Sequence, residues 1–346
     1  MGLRRHPLSR TRTTFALVAL LALPACGATL RPAPVRPGGV AAWSDPGPPP
    51  EANWPLDPER AVDLMARGRM EVQSVEPAPD GATGSARMEA TFDGVPLVVK
   101  WKPVPPGSLD TFNNSPRKEL AAFAVQEMVL PPERWLIPPV ALRCLPLERL
   151  RELGLPHRPT RNGARCGLGM ISLWLDGVEV PDHPWDEERF WSDPVYARNV
   201  ADLDLLTFLI EHQDGKPSNW LQGSETGLLF SVDNGISFGG PFYNYPADNW
   251  NGVRVPALAA DTVERLRAVE REDLEALQHL VGIELGADGM LRALDDGDDV
   301  VLGLSPWEWR GVWRRTKSLL RRVDDGRIPL FGEESSSTSV GAALHP

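Results

Sequence analysis

The residue types best suited to chemistry in this 346-residue chain lie close together in the segment EHQDGKPSNWLQ, residues 211–222. The segment contains His212, Asp214, Lys216 and Asn219. Carboxylate and amide oxygens are ligands that hard divalent cations prefer, and a lysine ammonium is a compact charge that attracts phosphate. The spacing of these residues therefore indicates a segment that handles a phosphate and a metal ion.

The order of these residues resembles the catalytic loop of protein kinases, H-R-D-x-K-P-x-N-x-L. Six residues match that pattern: His212, Asp214, Lys216, Pro217, Asn219 and Leu221. Thirteen residues separate Asn219 from Asp233, which follows the apolar run GLLFSV and opens DNG, a variant of the kinase D-F-G. This separation suits one short hairpin between two metal ligands.

The resemblance implies a role for each residue in phosphoryl transfer, which depends mainly on positioning and charge neutralisation. Asp214 would accept or orient the proton of the attacking hydroxyl, and Lys216 would steady the transferred phosphate. Asn219 and Asp233 would hold Mg²⁺ or Mn²⁺ that bridges the phosphates of ATP. Each residue alone has a plainer interpretation, because Asp214 and Asp233 also suit turns and Asn219 suits a cap. Their occurrence together, in order, favours the functional interpretation.

A strand lysine and a helix glutamate complete the kinase pattern in the first half of the chain. VVKWKP places Lys100 and Lys102 on the same face of a strand, and Glu119 begins the following helix. LVVK resembles the kinase V-A-I-K and selects Lys100, whereas WKP followed by ELAAF resembles segments of secretory-pathway kinases and selects Lys102. We favour Lys102 as the lysine that contacts the nucleotide phosphates. In the alternative interpretation, Lys102 is a solvent-exposed lysine on an edge strand and Glu119 interacts with the helix dipole from the first turn.

The resemblance covers roughly residues 85–240 and implies an α+β, two-lobed protein-kinase-like fold of an atypical branch, near the secretory-pathway and HipA-type kinases. This fold has a small antiparallel-sheet N-lobe with one helix and a mostly helical C-lobe. The chain departs from the kinase pattern in two places. It has DGATGS where G-x-G-x-x-G is expected, and no A-P-E follows DNGISFGGPFYNYPADNW. The sequence therefore does not predict a glycine loop that covers the phosphates, nor the usual docking of a protein substrate.

The elements that position these residues are readable from turn and cap signals. MEVQSV, ARMEATF and PLVVKWK predict three antiparallel strands, after a helix that begins at Asp57. A second helix follows Ser115, which we expect to be its N-cap. In the second half we predict helices near 186–210, 261–282 and 305–323, the last begun by the capping box SPWE. The predicted N-lobe, for nucleotide binding, is 56–180, and the catalytic C-lobe is 181–331.

The N-terminus has the features of an export signal. Four arginines precede the apolar run FALVALLALPA, and LPAC, which ends at Cys26, resembles the bacterial lipobox. This resemblance predicts a signal peptide over 1–26, lipidation of Cys26 and a membrane-anchored lipoprotein at the outer membrane or periplasmic face. A cleaved signal with an incidental cysteine is the alternative. Residues 27–55 are rich in proline and glycine and read as a tether, and 332–346 read as a disordered tail.

The two remaining cysteines, Cys144 and Cys166, are expected to form a disulfide, because exported chains meet an oxidising compartment. Closing a loop of this length contributes about 3 kcal/mol in the chain-entropy account. The spacing lacks the CxxC pattern of a metal or redox site.

The formal net charge of -11 argues against nucleic acid as a partner, because phosphate backbones attract basic surfaces. Two hypotheses about function remain. The chain is a metal-dependent phosphotransferase that uses ATP on an unidentified hydroxyl acceptor, or it is a catalytically inactive kinase-fold binding module anchored to the envelope. The scarcity of ATP outside the cytoplasm favours the second, and the retention of Asp214, Asn219 and Asp233 favours the first. We prefer the enzyme.

Cys26→Ser is predicted to leave the chain exported but unlipidated, which moves it from the membrane to the soluble fraction. Fractionation in high-salt buffer, which screens surface charge, measures this shift. The parent chain is the control. Membrane association that persists in the variant, with its signal cleaved, would instead implicate the arginine-rich helix predicted near 305–323.

Overall fold

A computed structural model describes residues 54–78, 84–104, 115–182, 185–214, 217–239, 254–294 and 300–332. The predicted signal, Cys26, nearly all of the tether, Lys216 and all of the predicted tail but its first residue lie outside these ranges. None of the helices in the described ranges has the length and apolar character needed to cross a membrane.

The described part of the chain is a mixed α+β structure. Its helices are Pro58–Arg67 (α1), Pro116–Val129 (α2), Leu147–Glu152 (α3), Glu187–Ser192 (α4), Pro194–Ile210 (α5), Ala260–Ala268 (α6), Arg271–Ala276 (α7) and Pro306–Asp324 (α8). Short 3₁₀ turns occupy Pro132–Arg134 and Pro217–Asn219. Its strands are Met70–Pro77 (β1), Ala86–Phe92 (β2), Val95–Pro103 (β3), Val140–Pro146 (β4), Cys166–Leu173 (β5), Val178–Glu179 (β6), Trp220–Gly223 (β7), Leu229–Ser231 (β8), Leu258–Ala259 (β9), Val281–Leu285 (β10), Leu291–Leu294 (β11), Val300–Leu302 (β12) and Leu330–Phe331 (β13).

The predicted antiparallel sheet is confirmed and is larger than the three strands read from the sequence. Five strands pair in the order β1-β2-β3-β5-β4, with every neighbouring pair antiparallel. Asp93 and Gly94 both have positive φ, at 49° and 81°, which is the backbone of the tight turn that joins β2 to β3. The two strands that were not predicted, β4 and β5, extend the sheet beyond this hairpin.

The register of β3 on β5 decides which way Lys102 points. Lys102 lies opposite Met170, and cross-strand partners project from the same face of a sheet. Met170 belongs to the core cluster that includes α2, whereas its neighbour Ile171 belongs to the cluster on the other face, with Met65 of α1. Lys102 therefore faces α2.

One glycine allows the strands to fit at this point. A Cβ on Gly169 would lie 2.2 Å from the indole ring of Trp101, a separation that no side chain tolerates. Trp101 is almost wholly buried in the core on the face away from Lys102. Gly169 is therefore required for the close packing of β5 against the indole of β3.

Two of the three helices predicted for the second half were wrong in extent, whereas the third is confirmed as α8. The helix expected over 186–210 is two helices, because Asp193 caps a new one with its carboxylate on the N–H groups of Val195 and Tyr196, and Pro194 occupies its first turn. The helix expected over 261–282 ends at Ala268, α7 follows, and strand β10 begins at Val281. The turn GADG joins β10 to β11 as a hairpin that the helical reading missed.

Two features of the first half also differ from expectation. Ser115 precedes α2, but its side chain makes no capping hydrogen bond. The helix predicted from Asp57 is confirmed as α1, with the Asp57 carboxylate accepting the Arg60 N–H, but the short helix α3 was not predicted. The short helix α3 escaped notice because LPLERLREL has too few residues for a helical period to stand out.

The predicted disulfide between Cys144 and Cys166 is confirmed, with a Cα–Cα distance of 5.7 Å. The two residues lie on neighbouring strands, β4 and β5. The bridge therefore fastens the edge strand of the five-stranded sheet to the strand that pairs with β3.

Helix α5 runs through the core of the second half, and almost all of its residues are buried. It carries two buried acids. Asp202 receives hydrogen bonds from the guanidinium of Arg134 and the hydroxyl of Thr262. Asp204 accepts the backbone N–H groups of Arg254, at 2.6 Å, and Val255, at 2.9 Å. These carboxylates tie α5 to the segment that leads into β9 and α6.

Asp204→Asn is predicted to remove a pH dependence of stability. Burial raises the pKa of Asp204 to about 6, against the opposing effect of its two backbone donors. From about pH 4 to about pH 6 the folded chain keeps a proton that the unfolded chain releases. The free energy of unfolding therefore falls as pH rises through this window, by up to about 3 kcal/mol.

Urea unfolding of the parent and of Asp204→Asn at several pH values measures this effect. The stability of the variant relative to the parent should increase as pH rises through the window and stay constant above it. Glu187→Gln, which alters an exposed carboxylate, should follow the parent. A difference that does not change with pH would contradict the assignment to Asp204.

Candidate active site

The centre of the candidate site is a buried lysine between two carboxylates. Lys102 Nζ lies 3.1 Å from Glu119 Oε1 and 2.9 Å from Asp233 Oδ1. The strand β3 supplies the lysine, the first turn of α2 supplies Glu119, and the segment after β8 supplies Asp233. Lys102 and Glu119 are each only 4% exposed. Three elements distant in sequence thus meet at one ammonium group.

The charges of this triad reinforce one another. Burial alone would lower the pKa of Lys102, but the carboxylates of Glu119 and Asp233 outweigh it and raise that pKa. Burial alone would raise the pKa of Asp233, but the nearby Lys102 and Lys100 ammonium groups outweigh it and hold that pKa well below its usual range. Burial raises the pKa of Glu119 despite Lys102. Asp233 is therefore ionised at neutral pH.

The backbone around Asp233 has an unusual conformation. Asp233 has φ of 59°, the left-handed region that asparagine and aspartate adopt more readily than most residues. The N–H of the next residue, Asn234, donates to Glu119 Oε2 at 2.9 Å, and the Ser231 hydroxyl lies 2.8 Å from Asn234 Oδ1. Glu119 therefore holds both the lysine and the turn that directs Asp233.

The hairpin β7–β8 brings Asn219 to the same place. Trp220 pairs with Ser231, so Asn219 immediately before β7 and Asp233 after β8 lie at the same end of the hairpin. The Val232 N–H donates to the Asn219 carbonyl at 2.9 Å. The hairpin expected between Asn219 and Asp233 is thus present.

Asn219 and Asp214 are in direct contact. Asn219 Nδ2 donates to Asp214 Oδ2 at 2.9 Å and to the Asp214 carbonyl at 2.8 Å. These hydrogen bonds use the amide nitrogen and fix the rotamer of Asn219. The side-chain carbonyl oxygen is therefore the atom of Asn219 that could bind a cation. His212 is buried beneath the segment, and the Gln213 N–H donates to the carbonyl of Ile236.

The side chains present here include oxygen donors of the types that bind hard divalent cations. Asn219 and Asp233 supply an amide oxygen and an ionised carboxylate, the hard oxygens that Mg²⁺ and Mn²⁺ prefer. Within the described ranges no cluster of three or more His, Cys, Asp or Glu residues could hold a metal alone. A site with so few protein ligands suits Mg²⁺, which commonly binds one or two protein oxygens together with substrate phosphates and water.

A second buried ionic cluster adjoins the first and was missed in the sequence. Glu308 of α8 is fully buried and accepts from Arg117 at 2.5 and 3.0 Å, while Lys118 Nζ lies 3.6 Å away. Lys118 also donates to the carbonyl of Ser237 at 2.6 Å. The capping box at Ser305 is confirmed, but capping alone had been assigned to Glu308. A second role for that carboxylate has no local sequence signal.

The structure brings most of the residues predicted from the sequence together in two groups. Lys102, Glu119 and Asp233 are joined by ion pairs, Asp214 and Asn219 by hydrogen bonds, and the hairpin brings both groups together. Lys100 lies on the same face of β3, opposite Ser172, but Lys102 is the lysine within ion-pair distance of Glu119. Lys216 lies outside the described residues.

No protein-family model matches the chain, and no curated protein matches it. Among solved structures, the chain is similar to the kinase PK-1 of Cydia pomonella granulovirus. The identity is 14%, the match covers 66% of this chain and 75% of that chain, and the TM-score is 0.32.

Lys102→Met is predicted to destabilise the fold by about 3 kcal/mol, because it leaves two buried carboxylates side by side without a cation. Lys100→Met is the comparison on the same strand face and should cost less, because it leaves Lys102 paired with Glu119 and Asp233. Chemical denaturation of both variants and the parent gives the two differences. Equal losses for the two variants would show that the triad does not depend on Lys102.

Proposed function

We propose that this chain is an exported, membrane-anchored lipoprotein with a two-lobed protein-kinase-like fold that transfers phosphate from ATP to a hydroxyl acceptor with the help of Mg²⁺ or Mn²⁺. The observation that carries the proposal is the Lys102 triad. In protein kinases the lysine lies on the third strand and pairs with a glutamate of the following helix, and the D-F-G aspartate binds the metal. Lys102, Glu119 and Asp233 come from the corresponding elements here.

In the proposed arrangement Lys102 contacts the nucleotide phosphates and Glu119 holds it in place, with Lys100 as a nearby second charge. Asn219 and Asp233 hold the cation, which neutralises phosphate charge when bound. Asp214 orients the acceptor hydroxyl and takes its proton, and Lys216 steadies the transferred group. The hydrogen bond that the Asn219 amide donates to Asp214 supports this division, because it links the proposed metal ligand to the proposed base.

The proposed lobes divide at about residue 180, with nucleotide binding in 56–180 and catalysis in 181–331. The five-stranded sheet and α2 support the first assignment. The hairpin β7–β8 and helix α5, which ends directly before the catalytic-loop segment, support the second. The acceptor class, whether protein, glycan, lipid head group or small molecule, is left open by this geometry.

A catalytically inactive binding module is the second candidate. It is favoured by the sequence departures, since neither the glycine loop nor A-P-E is present. It is favoured also by the scarcity of ATP outside the cytoplasm. Against it stands the side-chain geometry: a module without catalysis has no need to keep Asp214 bonded to Asn219 beside an ionised Asp233.

Asp233→Ala and Asp214→Ala are predicted to fail in different ways. The first removes an anionic ligand from the cation, so metal-dependent ATP binding and phosphate transfer should both fall. The second removes a base or orienting group, so affinity should persist while transfer slows by about 10²- to 10⁴-fold. Calorimetry with ATP and Mg²⁺ or Mn²⁺, beside transfer of labelled phosphate to envelope extract, separates binding from rate.

Glu225→Ala is the matched control, because this exposed carboxylate lies in the turn at the other end of the same hairpin. It should resemble the parent in both measurements. Unchanged transfer in Asp214→Ala, or unchanged metal-dependent binding in Asp233→Ala, would overturn the assigned roles. A parent chain that binds ATP but transfers no phosphate to any acceptor or to water would favour the binding module.

A further inference from the structure

The outward side of helix α8 is a continuous row of cations. Arg310, Arg314, Lys317 and Arg321 follow one another at alternating steps of four and three residues, so they lie on one face of the helix. All four are exposed, and Trp307, 42% exposed, heads the row. From Arg310 to Arg321 the row extends about 16 Å at the usual helical rise. We call these five residues the basic face.

The acids of α8 do not neutralise this face. The helix contains two, Glu308 and Asp324. Glu308 is buried against Arg117 and Lys118 on the inner side, and Asp324 pairs with Arg267 of α6. Within the part of the chain that the structure describes, no ion pair joins the four cations of the basic face to a carboxylate. Their charge is therefore directed at solvent.

Aromatic rings underlie the cations instead. The guanidinium of Arg310 lies 5.3 Å from the centre of the Trp309 ring, and the ammonium of Lys317 lies 4.1 Å from that of Trp313. Arg271, at the start of α7, also lies 5.6 Å from the centre of the Trp309 ring. Trp309 is buried in the core and Trp313 packs against that core, so Trp307 is the tryptophan that this side exposes. An exposed tryptophan beside lysine and arginine suits the boundary between water and lipid.

We propose that the basic face docks on the anionic surface of a membrane. Each cation near such a surface contributes about 1 kcal/mol to binding, so four in one row contribute about 4 kcal/mol, and salt weakens this attraction. The rest of the chain carries an excess of acid, since the net charge is -11, and is repelled by the same surface. Attraction on one side and repulsion elsewhere would orient the protein with α8 toward the lipid. Trp307 would enter the headgroup layer at one end of the row.

This inference goes beyond the proposed phosphotransferase and does not require it. A lipid anchor at Cys26 would keep α8 close to a membrane, but the docking surface rests on the charges and rings of α8 alone. Phosphate transfer and membrane docking can therefore succeed or fail separately.

The test compares binding of the purified full chain to phosphatidylcholine vesicles with and without phosphatidylglycerol, by co-sedimentation. Arg314→Gln combined with Lys317→Gln should reduce the preference for the anionic vesicles about 25-fold, or about fivefold for each cation removed. High salt should abolish the preference of the parent. The N-terminal apolar run and its arginines are common to every variant, so the difference between variants isolates α8.

Arg60→Gln combined with Arg151→Gln is the matched control, because it removes two exposed arginines of α1 and α3 and changes the net charge equally. It should bind like the parent. Circular dichroism and thermal melting establish that each variant is folded. An equal loss in the control, or no loss in the α8 variant, would overturn the proposal. So would a parent that prefers heparin beads but shows no preference between the vesicles, which would identify a soluble polyanion as the partner.

Discussion

The ion pairs of Lys102 are the interaction on which the arrangement of the candidate site depends. A buried ammonium is costly to remove from water unless carboxylates lie against it, and Lys102 has two within 3.1 Å. Those carboxylates come from α2 and from the segment after β8, so satisfying one charge fixes three elements. The same requirement determines that β3, α2 and the hairpin converge at one end of the sheet.

The second cluster explains how α2 is held while Glu119 serves that charge. Arg117, Lys118 and Glu119 are consecutive, and a helix directs them to different sides. Glu119 faces Lys102, whereas Arg117 and Lys118 reach Glu308 of α8. Lys118 also binds the carbonyl of Ser237, four residues after Asp233. The helix is therefore anchored on two sides, and the segment that carries Asp233 is anchored to the same helix.

Local signals in the sequence predicted the parts of this fold that local chemistry decides. Turn residues predicted the hairpin at Asp93 and Gly94, and the expected oxidising compartment predicted the disulfide between Cys144 and Cys166. The break before Pro194 was missed, although both the cap and the proline are visible in the sequence. Glu308 could not have been found in this way, because its partners on α2 lie 191 residues away in the sequence. Contacts of that kind are decided by tertiary packing, which a single sequence does not display.

Helix α8 connects the interior of the molecule with its surface charge. On its inner side Glu308 holds Arg117 and Lys118 of the helix that carries Glu119. On its outer side the basic face presents its cations to solvent. The inner and outer sides belong to one continuous helix of 19 residues, so neither can shift far without the other. The ion pairs of Glu308 thus connect the helix that carries the basic face to the helix that carries Glu119, the residue that positions Lys102.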